Sequence, residues 1–219
     1  MLALAAACGS PVAPPPEGLA TAPAGFPEGY YRQARAENAE VFQVAPARSL
    51  VAIEVRRGGS LARLGHDHLV ASHGVQGYVA VARGRADLFL PLDGLTVDEP
   101  ELRAQAGFAT AVSPEAAAGT RRNMLEKVLD SARYPFALIH VTGAGTDGVP
   151  VAVDLTLHGA TRRYQMPVVV ERSGRELVIS GRMKVRQTDF GIAPFAVLGG
   201  ALRVEDEVSM DFRLVAVGS

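Results

Sequence analysis

Three of the chain's five histidines fall close together: His66 and His68, two apart, and His73. In an extended segment residues two apart project to the same face, and three neutral imidazoles are a ligand set for zinc or copper. That spacing supports one reading, a metal-binding or redox-stress protein centred on His66, His68 and His73. The segment is bounded by glycine, however, and Asp67 is the residue type that caps a turn, so no metal ligand is assigned. His140 and His158 have no partner at ligand spacing and read as strand or turn residues satisfied locally. Covalent chemistry has no foothold: the chain carries no nucleophile elbow, phosphate loop or metalloprotease helix. The expectation is a protein that is not an enzyme, with no catalytic residue and no cofactor. Arg121, Arg122, Arg162, Arg163 and Arg186 offer charge to a lipid head group, but arginines on a rim are usually solvated.

Composition narrows the partners. The 22 basic and 23 acidic side chains leave a formal net charge of -1, which gives no electrostatic reason to expect nucleic acid. Tryptophan is absent and aromatics are 6%, so platforms for stacking bases are poorly supplied. The 48% hydrophobic content over 219 residues is ample for a real core. The single cysteine, Cys8, can make no internal disulfide and hold no structural zinc. Small apolar residues precede it and the Pro-rich GSPVAPPPEG follows, an arrangement that resembles the end of a bacterial lipoprotein signal, without its basic n-region. Residues 1–8 are therefore expected to be a truncated lipoprotein-type signal with Cys8 as the lipidation site. Residues 9–40 are expected to be a Pro/Ala-rich tether, with 30–40 either a short helix or its continuation, and 41–219 the folded domain. The implied location is the periplasm, with a lipid anchor to the membrane. No later stretch reaches the roughly 20 apolar residues of a membrane span.

The elements that would position any site are strands. In 151–171 two extended runs meet at His158-Gly159-Ala160-Thr161. Val151, Val153, Leu155 and Leu157 alternate with Ala152, Asp154, Thr156 and His158, and Tyr164, Met166, Val168 and Val170 repeat the device. At about 3.3 Å per residue each run of about ten residues would span about 30 Å, the length of a barrel wall. Further strands are predicted over 49–56, 75–82 and 86–93, the last two joined at Arg83-Gly84-Arg85, and over 135–142, 176–186 and 206–217. One strong helix starts at Ser113-Pro114-Glu115, an N-cap, a proline at the first helical position and an acidic first turn. Met124, Leu125, Val128 and Leu129 recur at helical spacing, and Tyr134-Pro135 stops the run. Residues 190–200, with Pro194 and Gly199-Gly200, read as a short helical lid segment. About eight strands with few helices between them predict an all-β fold, an antiparallel eight-stranded up-and-down barrel whose interior can hold one ligand.

At this level of detail the chain resembles the YceI-like polyisoprenoid-binding family. The resemblance spans roughly residues 49–217 and is carried by Arg122-Asn123-Met124-Leu125 with Leu129-Asp130 and Tyr134-Pro135, by LTLHGATRRYQMPV at 155–168, by RQTDFGI at 186–192 and by the acidic turn in 204–208. His68, Ser72 and Val75-Gln76-Gly77-Tyr78 add a weaker match. Asn123 departs from the aspartate common in the family, and GHDHL at 65–69 carries an extra histidine. The resemblance implies a lipocalin-like barrel, usually periplasmic, whose elongated apolar lumen holds an isoprenoid chain such as a quinone tail or a polyprenyl lipid.

Strand faces point to the same place. Leu155, Leu157, Met166, Val168, Ile179 and Met183 converge on one side of successive strands, with Ile139 joining from the strand before. Taken alone these side chains would as readily fill a barrel as line a cavity; the resemblance implies the cavity. Methionine suits such a wall because its flexible, polarizable side chain adapts to an irregular chain. Phe190, Phe195 and Leu198 are the candidates for its mouth. The expected function is noncatalytic binding, transport or sequestration of a long polyisoprenoid, with a homodimer left open.

Overall fold

The computed structural model describes residues 19–108, 110–143 and 149–218. Cys8, the expected signal and the first part of the expected tether lie outside the described residues. In chain order the strands are β1 (Phe42–Val44), β2 (Leu50–Val55), β3 (Arg57–Gly58), β4 (His68–Ser72), β5 (Gln76–Ala80), β6 (Arg85–Pro91), β7 (Thr96–Val97), β8 (Phe136–Thr142), β9 (Val151–Leu157), β10 (Ala160–Met166), β11 (Val169–Ser173), β12 (Glu176–Arg186), β13 (Ala196–Val197), β14 (Leu202–Val204) and β15 (Glu207–Gly218). The α-helices among the described residues are α1 (Glu28–Ala36), α2 (Pro100–Gln105) and α3 (Pro114–Asn123). None of these is long and apolar enough to cross a membrane.

β15 organises one 12-stranded antiparallel sheet. Along one edge it pairs with β12 from Glu176↔Val217 to Arg186↔Glu207. Its other edge is shared, with β1 taking residues 216–218 and β2 taking 209–213. From β1 the ladder continues through β5, β6, β8, β9 and β10; from β2 it continues through β4 to β7. Buried Ser49 sits where β15 changes partner. Its hydroxyl accepts from the Val215 N–H at 3.0 Å and donates to the Ala45 carbonyl at 2.9 Å, so the backbone groups freed at the crossover are not left unpaired.

Several expectations change. The ladder does not close into an eight-stranded barrel: among the described residues no ladder joins β10 to β11 or β12, and the sheet path has ends. The second run of the 151–171 stretch is two strands, not one. Pro167 has no N–H to donate, so β10 stops at Met166 and the chain swings away to pair β11 with β12. Side chains bridge the resulting seam. A Cβ on Gly181 of β12 would lie 2.7 Å from the Phe212 ring and 3.1 Å from the Met166 tip, so the missing side chain is what lets β10 and β15 residues meet over β12. The expected helical lid is a β-hairpin, β13 with β14, preceded by a single 3₁₀ turn at Gln187–Phe190, joined through another at Leu198–Gly200 and paired to β3 in a 3-stranded sheet. The β9–β10 hairpin turns on His158 and Gly159 alone, both at positive φ (51° and 76°), the two-residue loop whose twist matches the strands. His158 is thus a turn residue, its ring 4.6 Å from that of Tyr134.

Ser113 caps α3 as expected, accepting from the Ala116 N–H at 3.3 Å. Past Asn123 the helix widens into a π turn, Met124–Val128. At the other end of the chain, α1 is packed rather than tethering. Phe26 meets Phe89 edge-on at 4.9 Å, and Tyr31 and Ala34 are buried against the outer face of β5. The packed domain therefore begins near Phe26, earlier than residue 41.

Under α1 lies a buried carboxylate. Asp87 points outward from β6 and accepts from the Tyr31 hydroxyl at 2.6 Å, Arg85 Nε at 2.7 Å and His140 Nδ1 at 2.6 Å. The register extends this group into a transverse row, Asp87↔His140↔Asp154↔Arg163, in which the imidazole lies between two carboxylates and Asp154 faces the Arg163 guanidinium. Burial pushes the Asp87 carboxyl up, but the hydrogen bonds from Arg85, Tyr31 and His140 together hold it below its ordinary 3.8. Burial, then the Asp87 carboxylate, pushes the Tyr31 phenol well above its ordinary range. Replacing Tyr31 by Phe is expected to cost about 1–3 kcal/mol in urea unfolding, since it strips a donor from a buried acceptor. Because the folded carboxyl titrates below the unfolded one, its stabilisation is complete above the unfolded value of about 3.9 and is lost as pH falls through the lower folded value. Asp87→Asn should accordingly flatten the acid limb of the stability curve. A Tyr31→Phe protein as stable as its parent would show that the hydroxyl carries nothing.

Candidate functional site

The inward residues of the curled sheet follow the two-residue period of each strand: Val51, Ile53 and Val55 on β2, Leu88 and Leu90 on β6, Ile139 and Val141 on β8, Ile179, Met183 and Val185 on β12, and Val208, Met210, Phe212 and Leu214 on β15. They surround a cavity of about 410 Å³, within the usual range of small-molecule sites. Met124, Val128 and Leu129, from the π turn and the residue after it, add to its lining. Several inward residues, among them Ile53, Ile139, Ile179, Met183 and Met210, are only half-buried. In a close-packed interior such side chains would be covered by protein; here they face space.

Ile139, Leu155, Leu157, Met166, Val168, Ile179, Met183, Phe190 and Phe195, the residues singled out from strand faces and the irregular segment, all line this cavity. Two details of the expected mouth differ. Leu198 does not line it; it sits at φ 52° in the turn after β13 with 68% of its surface exposed. Phe190 is fully buried and packs with Val185, Ile192 and Val208, so it plugs the cavity's end rather than edging an opening. The backbone reversal at 198–200 that turns Leu198 outward has no periodicity from which its direction could be read.

The polar side chains on the wall are few: His68, Thr120, Asn123 and Gln187, besides Arg85. The Arg85 guanidinium is engaged on the outside, bound to Asp87 and 4.1 Å over the Tyr30 ring. Gln187 donates to the Glu205 carbonyl at 2.9 Å. His68 has the most elaborate support. Its Nδ1 lies 2.6 Å from Asp98, which also accepts from the Leu69 N–H at 3.0 Å and from the Arg103 guanidinium. Arg103 donates in addition to the Asp67 and Thr110 carbonyls at 2.7 and 2.6 Å. Asp98 and Arg103 are both buried. Burial pushes the Asp98 carboxyl up, yet the hydrogen bonds from His68, Leu69 and Arg103 hold it below its ordinary value. Nothing in the sequence around Asp98 or Arg103 marks them; they become a unit only because β7 and α2 fold back beside β4.

The histidines do not form one site. His66 and His68 have ring centres 6.5 Å apart, but His73 lies beyond the far end of β4 with its Nε2 3.1 Å from Glu99. Five residues of extended chain separate His68 from His73 by about 16 Å. Among the described residues no three His, Cys, Asp or Glu side chains converge as metal ligands. Of the arginines, Arg163 pairs with Asp154 at 2.6 Å and Arg121 donates to the Leu95 carbonyl at 2.6 Å, fixing α3 to the turn before β7.

A family model described as the YceI-like domain matches residues 42–216. No curated protein matches the chain in sequence. Among solved structures, a polyisoprenoid binding domain from Saccharophagus degradans, implicated in plant cell wall breakdown, is similar at 13% identity with a TM-score of 0.58, over 81% of this chain and 98% of that one. BcnA of Burkholderia cenocepacia is similar at 16% identity with a TM-score of 0.54, over 78% of this chain and 98% of that one. At these identities the likeness establishes the fold.

The buried carboxylate makes a direct prediction. Arg103→Met leaves Asp98 in the interior without its guanidinium and is expected to cost about 3–5 kcal/mol. Adding Asp98→Asn should recover part of that loss, because the uncompensated charge goes with it. Urea unfolding of the two variants checks this, and an Arg103→Met chain within 1 kcal/mol or so of the parent would contradict an ionised Asp98.

Proposed function

This chain belongs to the YceI-like family, and we propose that it binds a long-chain polyisoprenoid lipid, of quinone or polyprenyl type, noncatalytically in the apolar cavity of its curled sheet. The observation that carries the reading is the row of inward aliphatic and methionine side chains left half-buried around unfilled space. Such a surface is costly facing water and gains about 0.8 kcal/mol for each methylene of a guest it covers. Affinity can then come from the length of an apolar chain, with no need for many polar contacts. Met124, Met166, Met183 and Met210 all line the cavity, and their flexible thioethers suit the alternating methyl branches of an isoprenoid. The polyisoprenoid binding named for the Saccharophagus degradans domain, which shares this fold, supports the same class of guest. The role that follows is carriage or sequestration, in a periplasmic setting, with a lipid on Cys8 as the proposed tether.

Native mass spectrometry after detergent-free purification, followed by solvent extraction, tests this. The parent chain is expected to carry an isoprenoid or to take one up when ubiquinone or a polyprenol is added. Leu155→Trp with Met183→Trp fills the space from two facing strands and should lower uptake on the order of tenfold or more, equivalent to about 1.4 kcal/mol for each factor of ten, while a single thermal transition is kept. A parent chain that neither carries nor accepts such a lipid overturns the reading.

A further inference from the structure

His68 has a definite place on the cavity wall. The ladders align Val185 with Val208 and Val55 with His68, and Ser209↔Glu54 sets Val208 against Val55. One inward row therefore reads Val185, Val208, Val55, His68. The next row reads Met183, Met210, Ile53, Val70 and Val97. His68 is the polar member of an otherwise aliphatic row, at the end of the cavity plugged by Phe190, where the chain leaves β12 for Gln187.

The imidazole is also oriented. Asp98 is a carboxylate that can only accept, so Nδ1 carries the proton that it receives at 2.6 Å. The Arg103 guanidinium already balances the Asp98 charge, and a neutral imidazole leaves this buried group with no net charge, the least costly arrangement away from water. The remaining nitrogen, Nε2, is then an acceptor, and among the described residues no hydrogen bond is formed to it. A charged head group does not fit: among the described residues the only basic side chain on the wall apart from His68 is Arg85, and its guanidinium is engaged outside by Asp87. An uncompensated phosphate in this apolar surround would pay a large desolvation cost.

We propose that His68, held by Asp98 and Arg103, is a head-group site that accepts a hydrogen bond through Nε2 from the terminal hydroxyl of an isoprenoid guest, a prenol or a hydroquinone. This rests on the cavity being the lipid site. Hydrocarbon length supplies affinity, and the single polar contact sets which end of the guest enters first.

The probes are phytol, phytane and phytyl phosphate, which present a branched isoprenoid skeleton with a hydroxyl, with no head group and with a phosphate. The parent chain is expected to bind phytol on the order of tenfold more tightly than phytane, the size of one satisfied buried hydrogen bond, and to give phytyl phosphate no advantage over phytol. His68→Asn keeps an amide N–H where Nδ1 donates to Asp98 but removes Nε2; it should bind phytol and phytane alike, while a single cooperative melting transition shows that the fold is kept. His68→Gln, whose amide reaches the Nε2 position, should restore part of the preference. Equal affinities in the parent chain, or a phytol preference that survives in His68→Asn, overturn the head-group site while leaving the cavity reading intact. The first of these needs no variant to fold. A preference for phytyl phosphate overturns the uncharged head group, and failure of the parent to bind any of the three overturns the cavity reading together with the anchor.

Discussion

The pairing of β15 is the constraint on which the rest of the molecule depends. One twelve-residue strand holds β12 on one edge and divides the other between β1 and β2, so both arms of the sheet leave from the same ladder. Because side chains alternate strictly along a strand, the register of β15 decides which residues of both arms face inward. A slip of one residue would turn Val208, Met210, Phe212 and Leu214 outward. Ser49, bonded to both Ala45 and Val215 at the point of division, keeps that register from having to accommodate unpaired backbone.

Around this spine the protein treats its two faces differently. On the outer face a buried carboxylate is closed into a hydrogen-bonded set, Asp87 with Tyr31, Arg85 and His140 beneath α1. The inner face has the converse arrangement, apolar side chains that are not closed over by protein. Cores are normally packed to the density of organic crystals, and a wall of half-buried isoleucine and methionine departs from that rule. Hydrocarbon supplied from outside is the simplest remedy, which is why the proposed guest is a lipid chain. The seam between β10 and β12 fits this division. It is bridged by Met166 and Phe212 meeting over Gly181, contacts that adjust more readily than a ladder of hydrogen bonds.

His68 belongs to both schemes. Its inward parity, shared with Val70, puts it on the wall, and its Nδ1 ties it into the buried Asp98 and Arg103 set behind the wall. Buried ion pairs repay their desolvation poorly, so a histidine presented to an apolar cavity by such a pair is better understood through what its free nitrogen meets than through stability.

Local alternation was legible without coordinates, because the period of two needs only neighbours in sequence. It located β2, β5, β6, β8, β9, β12 and β15 and selected the lining residues from Ile139 to Met183, and the Ser113-Pro114 start of α3 was equally plain. The short pieces were not: β1 and β7 lack enough residues for a period, β4 is buried on both faces and so does not alternate, and α1 declares itself only when Tyr31 finds Asp87. Spacing in sequence also misled where long-range position mattered, placing His73 with His66 and His68, and Leu198 at a mouth. What the sequence by itself determined is which face of each strand is apolar, since that is a property of successive residues. Only the tertiary structure decided that the inward faces enclose unfilled space, that Pro167 and Gly181 leave a seam in place of a closed ladder, and that Asp98 and Arg103 stand behind His68. Each of those depends on groups far apart in the chain being brought to a few ångströms, and no local pattern encodes that.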